Sequence, residues 1–170
     1  MKAHVKDPFV SYLQSLVERG DRRALAALRR GLGRPLGTVP EMYPYVVPWL
    51  PADPPLYKEN AYYLIAALFG FAPASTAAGN MGDHMAATRT KDNQEAVERR
   101  FVVLLSSAPD ALDKYLIPCV SWLKSREVAV HWDQLLWDVL NWGRPDKRVQ
   151  RRWAGAFWGA RELKPREAES

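Results

Sequence analysis

Apolar residues recur at intervals of three and four along most of this chain, the spacing that puts side chains on one face of an α-helix. Asp7 followed by Pro8 predicts the first helix start, because aspartate caps free backbone N–H groups and proline suits the first helical position. This helix extends to Gly20. Later helices are predicted to begin at Asp21, Tyr57, Asp92 or Asn93, Pro109, His131 or Asp133, and Lys147. No stretch alternates apolar and polar residues as a strand would, so we expect an all-α, compact helical bundle.

Composition changes along the chain predict its division into parts. Residues Tyr57–Phe71 are almost entirely apolar, as in a buried central helix. Before them, Arg34–Pro55 holds seven prolines and should be a turn-rich crossing with at most one short helix near Glu41–Val47. Small residues dominate Ala72–Thr90, which favours a mobile loop or a boundary. We expect two small helical lobes, over residues 1–78 and 91–163, joined by a flexible loop at 79–90.

Two features of the later helices lead to specific expectations. Pro118 falls inside the helix that starts at Pro109, and should either kink that helix or split it. The last helix, predicted over Lys147–Leu163, carries two sets of residues on different faces. The inward set is Val149, Trp153, Ala156, Phe157 and Ala160, and the outward set includes Arg148, Arg151 and Arg152.

The overall composition is that of a folded protein. The 170 residues are 48% apolar and include seven tryptophans, too many apolar anchors for a disordered chain. The longest apolar stretches, near twelve residues, are shorter than the roughly 20 that span a bilayer. With one cysteine and no signal-peptide pattern, we expect a cytoplasmic protein without disulfides.

Signatures of catalysis and metal binding are missing from the sequence. There is no phosphate-cradling glycine-rich loop, no nucleophile-elbow serine and no histidine pair at metal-ligand spacing. Cys119 lies on the apolar side of its helix, as a small core residue would. Asp83 and His84 are adjacent and could act in acid–base chemistry, but such pairs are common by chance. We therefore expect no enzyme activity, no cofactor and no metal.

Positive charge is concentrated in a few segments. The formal charge is +5, and 16 of the 24 basic residues are arginine, whose planar fork suits phosphate. Arg19–Arg34 holds six arginines against one acid, and Arg144–Arg152 holds five basic residues against one acid. The start of the last helix would add free N–H groups that favour anions. The candidate nucleic-acid-binding residues are Arg22, Arg23, Arg29, Arg30, Arg34, Arg99, Arg100, Arg144, Lys147, Arg148, Arg151 and Arg152.

Residue types alone leave two interpretations of these clusters open. They could bind nucleic acid through phosphates, since base-reading Asn, Gln, Ser and Thr are scarce among them. They could equally be solvated helix faces with local acidic partners such as Glu98. Six tryptophans in the C-terminal third could stack on unpaired bases, although tryptophans at helical spacing are more often core residues.

The order of several short segments resembles a known family. These segments are Leu28-Arg29-Arg30-Gly31, Pro40-Glu41-Met42-Tyr43, Glu98-Arg99-Arg100-Phe101, Val130-His131-Trp132-Asp133-Gln134-Leu135-Leu136, Leu140-Asn141-Trp142 and Arg151-Arg152-Trp153-Ala154, followed by Phe157-Trp158. From about Pro8 to Ala160 the chain resembles the CasB family, the small subunit of the type I-E CRISPR Cascade surveillance complex. The likeness rests on the ordered set and not on any single motif.

The resemblance implies a non-enzymatic helical subunit that steadies the guide RNA–target duplex and the displaced DNA strand. Its implied partners are the large subunit, the backbone subunits that hold the guide RNA, the guide RNA and target DNA, and a second copy of itself. The family's basic surface residues map by motif onto Arg29 and Arg30, Arg99 and Arg100, and Lys147, Arg148, Arg151 and Arg152. Arg34, Lys91 and Arg144 have no fixed place in that pattern. Two alternatives remain, a sequence-specific helical DNA-binding regulator and a helical adaptor for an acidic protein.

Overall fold

The chain folds as a bundle of helices, which the computed structural model describes over residues 6–159. The helices are α1 (Pro8–Glu18), α2 (Arg22–Arg29), α3 (Tyr43–Val46), α4 (Leu56–Phe71), α5 (Met81–Ala86), α6 (Gln94–Leu105), α7 (Leu112–Ser125), α8 (Trp132–Leu140) and α9 (Arg148–Ala154). Short 3-10 turns flank α3 and precede α7, and a π-helical turn, Gly155–Gly159, follows α9. Within residues 6–159, the β pairing is one isolated bridge between Ser75 and Val130. The all-α prediction is confirmed.

Helix α4 forms the centre of the bundle. Its ten consecutive residues 61–70 are all buried, which confirms the prediction of a central apolar helix. Helices α2, α3, α7 and α8 pack against it. Gly70 permits the close contact with α2, because a Cβ there would lie 2.8 Å from the Leu25 carbonyl oxygen and 2.9 Å from the Arg29 backbone nitrogen. No helix of the described residues has the length and apolar character needed to cross a membrane.

Aromatic side chains fill the core beside α8 and α9. Trp132, Trp142 and Trp153 are fully buried, whereas Trp122, Trp137 and Trp158 are half-buried at its edge. The core interpretation of the tryptophans therefore holds for the three buried rings. Phe101 of α6 stacks on Phe157 with ring centroids 4.5 Å apart, so α6 contacts the turn after α9.

The segment predicted as a flexible loop, residues 79–90, contains a helix instead. Helix α5 begins with a capping box, in which the Asn80 side chain accepts from the backbone N–H of Asp83 and the Asp83 carboxylate accepts from that of Asn80. Met85 is completely buried. The prediction of a loop here was wrong, because the capping box and the burial of Met85 hold residues 81–86 in a helix.

Close packing explains the glycine in this helix. A Cβ on Gly82 would overlap the backbone carbonyl of Trp153, so glycine is what lets α5 lie directly against α9. Buried residues from both halves of the chain belong to one hydrophobic cluster. The division into lobes over residues 1–78 and 91–163 stays a prediction.

Two further helices can be compared with their predictions. Helix α7 runs through Pro118 without a break, so it is not split there. Pro118 has no N–H to donate to the carbonyl of Lys114, four residues earlier. Both residues are exposed, so water can donate to that carbonyl instead. The predicted last helix corresponds to α9 and its π-helical turn, and its predicted end at 160–163 lies outside the described residues.

Candidate nucleic-acid interface

The arginines of α2 lie on the outside of the bundle. Arg22 and Arg23 begin the helix, and Arg29 and Arg30 end it one heptad later, which brings the two pairs to the same side. All four side chains are exposed, as is Arg34 in the turn that follows. Among residues 6–159, none of these five forms an ion pair with a carboxylate within 4.0 Å. Their charge is therefore accessible to a ligand.

A second basic cluster forms where α6 and α7 meet. Arg99 and Arg100 are exposed on α6, and the Arg100 guanidinium lies 4.9 Å from the centre of the Trp122 ring on α7. Arg126, the residue that caps α7, lies 4.0 Å from the same ring. The Trp122 Nε1–H donates to the Thr88 hydroxyl at 2.8 Å, which fixes the ring. Trp122 thus holds two guanidinium groups through cation–π contacts while leaving them exposed to solvent.

The basic residues around α9 occur in two different environments. Lys147, Arg148 and Arg151 are exposed, as predicted for the latter two, whereas Arg152 is half-buried with its guanidinium 5.9 Å from the Trp137 ring centre. Trp153 and Phe157 are buried, as predicted. The face assignment of the last helix is therefore confirmed for its described residues except at Arg152 and Ala156, which are both half-buried instead of exposed and buried, respectively.

Asp146 occupies the start of α9. Its carboxylate accepts a hydrogen bond from the Arg148 backbone N–H at 3.1 Å and two from the Arg144 guanidinium, at 3.2 and 2.9 Å. The hydrogen bond from Arg144 holds the pKa of Asp146 below its ordinary value. This carboxylate therefore already accepts from one of the N–H groups at the helix start that were expected to favour an anion. Arg144, although exposed, has its charge compensated by Asp146.

A series of contacts connects the three basic regions. The Arg29 backbone lies against Gly70 of α4, and the next residue, Phe71, has Lys124 Nζ 4.1 Å from its ring centre. Lys124 is on α7, the helix that also carries Trp122. From there α6 leads to the π-helical turn after α9 through the stacked rings of Phe101 and Phe157. The three arginine pairs are thus carried by elements that contact one another in sequence.

The groups that could have suggested catalysis have local structural roles. His84 is buried and its Nε2 accepts a hydrogen bond from the His131 backbone N–H at 3.1 Å. Burial lowers the pKa of His84 to about 4, so the ring is neutral at pH 7. Burial raises the pKa of the Cys119 thiol to about 12, which makes it a poor nucleophile. Among the described residues, no three His, Cys, Asp or Glu side chains are grouped to hold a metal ion.

Comparison with known proteins identifies the family. The model of the CRISPR-associated protein Cse2 family matches residues 24–158. A CRISPR-associated protein Cse2 from Thermus thermophilus is 32% identical over 174 residues, covering 95% of this chain and 96% of the relative. The chain belongs to the Cse2 family.

Solved structures of Cse2 relatives, which are also named CasB, share its fold. The crystal structure of CasB from M. ruber is 27% identical, covers 94% of this chain and 96% of that one, and superposes with a TM-score of 0.75. A chain of a CRISPR RNA-guided surveillance complex is 26% identical, with coverage of 94% and 99% and a TM-score of 0.75. The resemblance to the CasB family seen in the sequence is thereby confirmed.

Arg126 and Lys124 are exposed cations at the end of α7 that the sequence did not single out. They lie in a segment with Glu127 and few other charges, so no run of arginines marks them. One local signal does exist, because Trp122 and Arg126 are four residues apart, the spacing at which side chains meet on a helix. The approach of Arg100 to the same ring depends on tertiary packing and has no local signal.

Asp138 is a buried carboxylate in the tryptophan core of the Cse2 fold that the sequence analysis did not predict. It is 2% exposed and accepts hydrogen bonds from Trp153 Nε1 at 2.7 Å and Gln134 Nε2 at 2.9 Å. On the same helix, Leu135 and Leu136 are buried, whereas Val139 and Leu140 are only half-buried. Burial raises the pKa of Asp138 from 3.8 to about 6.

Asp138→Asn should stabilise the protein at neutral pH. Because the folded state raises this pKa, the native protein binds more protons between pH 4 and 6, and the Asp138 contribution to stability falls as pH rises through that range. A shift of about two units corresponds to about 3 kcal/mol at most. We expect the difference in unfolding free energy between variant and wild type to be near zero at pH 4 and to increase up to pH 6.

Urea unfolding at several pH values measures this difference. The comparison with wild type cancels His84, whose lowered pKa makes stability change in the opposite direction over the same range. A variant that is less stable than the wild type at pH 7 would show that the ionised carboxylate stabilises the core.

Proposed function

We propose that this Cse2 protein is a non-catalytic subunit of a CRISPR Cascade surveillance complex, in which it holds nucleic acid by its phosphates. The guide RNA–target duplex and the displaced DNA strand are the proposed ligands. The proposed protein partners are the large subunit, the backbone subunits and a second copy of the chain.

One observation carries the proposal. The arginine pairs at 29–30, 99–100 and 151–152 are at least partly exposed, form no ion pair with a described carboxylate within 4.0 Å, and lie on elements that contact one another. A solvated helix face would be expected to place acids beside such arginines. Arg22, Arg23, Arg34, Lys147 and Arg148 extend the same regions, and we add Arg126 and Lys124. Arg144 receives no role, because Asp146 already neutralises it.

The proposed mechanism is electrostatic. Opening target DNA exchanges one duplex for another of similar stability, so extra positive charge along the displaced strand shifts a nearly balanced equilibrium. Pairing with the guide supplies the sequence specificity, and the subunit needs only charge and spacing. Trp122 would contribute by holding Arg100 and Arg126 in place, which reduces the conformational entropy lost on binding.

The salt dependence of binding tests this function. If the six arginines of the three pairs each contact one phosphate, log K for a random single strand should fall with log salt with a slope of about −4, at about −0.7 per contact. Fluorescence anisotropy of labelled oligonucleotides measures this slope when the salt concentration is varied from about 50 to about 300 mM, a range that includes physiological ionic strength.

Two matched ligands complete the experiment. Random duplexes and an acidic polypeptide distinguish the alternatives, since a regulator would prefer one duplex sequence and an adaptor would prefer the polypeptide. Equal affinity for unrelated single strands supports the proposal. A flat salt dependence would contradict it.

A further inference from the structure

An open cleft lies on the bundle where α4 begins, α7 begins and α8 ends. Its volume is about 760 Å³, within the range of sites that hold ligands or partner side chains. Leu64, Leu112 and Trp142 form its apolar floor. Leu56 and Tyr57 lie at its lip and are 69% and 63% exposed, the most exposed large apolar residues that the structure describes.

The lip is fixed before any partner binds. Leu56 and Tyr57 belong to the first turn of α4, and Pro54 and Pro55 directly precede them and restrict the backbone. An exposed leucine and tyrosine beside an apolar floor, on a rigid helix end, are typical of a docking surface for protein. They are not needed to cover the core, which is already complete beneath them.

Charge at the cleft is opposite to that of the basic surface. Asp110 and Asp113 line one wall, and neither forms an ion pair within 4.0 Å with another described residue. The cation of the cleft, Arg144, is already paired with Asp146. Without an ion-pair partner, these two carboxylates would repel phosphate and favour a lysine or arginine.

We infer that this cleft docks an apolar segment of a neighbouring protein subunit, and that the segment carries a lysine or arginine opposite Asp110 and Asp113. The inference rests on the proposed function, which makes the chain a member of a multisubunit complex. It adds a protein-binding surface whose lining includes none of the three arginine pairs. Shape and apolar contact supply most of the affinity, while the carboxylates orient the segment.

Two variants with matched controls test the cleft in the full-length chain. Leu56→Glu places a charge on the apolar lip, and Val17→Glu makes the same change at an exposed apolar residue outside the cleft. Asp110→Lys reverses a wall charge, and Glu41→Lys is its control. Asp110 and Glu41 are both exposed, and each follows a proline as the second residue of a 3-10 turn.

The probe is the complex of guide RNA and remaining subunits, purified without this chain. We expect Leu56→Glu to weaken the binding of this chain to that complex by at least tenfold, and Asp110→Lys by roughly three- to tenfold. Both controls should bind with wild-type affinity. Binding of a random single strand by the isolated chain, measured in parallel, should be unchanged in both cleft variants.

Three outcomes overturn the inference. The first is wild-type affinity of both cleft variants for the complex. The second is a loss of single-strand binding, which would assign the cleft to the nucleic-acid surface. The third is a loss of self-association while binding to the complex stays normal, which would show that a second copy of the chain fills the cleft. Failure of the wild type to bind any nucleic acid would instead contradict the proposed function. The comparison of variants in binding to the complex would still test the cleft.

Discussion

Reversing the charge of one arginine pair should weaken binding of a random single strand by about 30-fold. An exposed arginine–phosphate contact contributes about 1 kcal/mol, so a pair contributes about 2 kcal/mol, and each 1.4 kcal/mol is a factor of ten. The three variants are Arg29→Glu/Arg30→Glu, Arg99→Glu/Arg100→Glu and Arg151→Glu/Arg152→Glu. Two reversed pairs should have nearly additive effects in free energy, since the pairs lie on different helices and share no partner.

Control variants distinguish the effect of these arginine positions on affinity from the effect of net charge. Replacing the same pairs by lysine keeps the charge that neutralises phosphate and should retain most of the affinity. Lys114→Glu changes an exposed cation outside the proposed surface and should have less than about a threefold effect. Thermal unfolding identifies any variant that loses fold, which matters for Arg100 and Arg152 because both lie over tryptophan rings. Equal losses for Lys114→Glu and for the pairs would mean that only net charge matters.

Trp153→Ala should destabilise the protein by about 3–5 kcal/mol, the usual cost of truncating a large buried aromatic residue. Its ring is completely buried, and its centroid lies 4.9 Å from that of Trp142. The change also removes the indole N–H that donates to the buried Asp138, which adds about 1–3 kcal/mol for an acceptor left short of a partner. Such a loss is a large fraction of the total stability of a domain of this size.

Urea unfolding of two further variants apportions this loss. Trp153→Phe keeps much of the ring but removes the donor, so it should lose mainly the hydrogen-bond part, about 1–3 kcal/mol. Arg151→Ala, on the exposed face of the same helix, should change stability by less than about 0.5 kcal/mol. A loss below about 1 kcal/mol for Trp153→Ala would show that this region packs loosely.

Local signals explain which elements could be predicted from the sequence. The Asp7 carboxylate caps α1 by accepting from the Phe9 backbone N–H at 2.8 Å, an interaction between residues two apart. Helix α4 is apolar on all sides, and only the centre of a bundle offers such a helix partners all around. The exposed arginines of α2 follow from helical periodicity alone. Each of these depends on residues close together in the chain.

The features that sequence reasoning missed depend on contacts between distant residues. Helix α5 is stable because Gly82 lies against the backbone of Trp153, 71 positions later in the chain. Burial of Asp138 likewise depends on the indole donor of Trp153, supplied by another helix. The pairing of Arg100 with Arg126 around Trp122 needs α6 and α7 to be packed together. Periodicity gives the face of a helix, but it does not show which helix covers that face.

The most direct test of the proposed nucleic-acid role is R-loop formation on matched target DNA by the whole complex, rebuilt with each reversed arginine pair. At physiological salt the account predicts normal guide loading by every variant and fewer R-loops for each reversed pair, with a larger loss when two pairs are reversed. The lysine replacements should form R-loops normally. Normal R-loop formation by all three reversed-pair variants would show that these arginines are solvated helix faces and would contradict the nucleic-acid role.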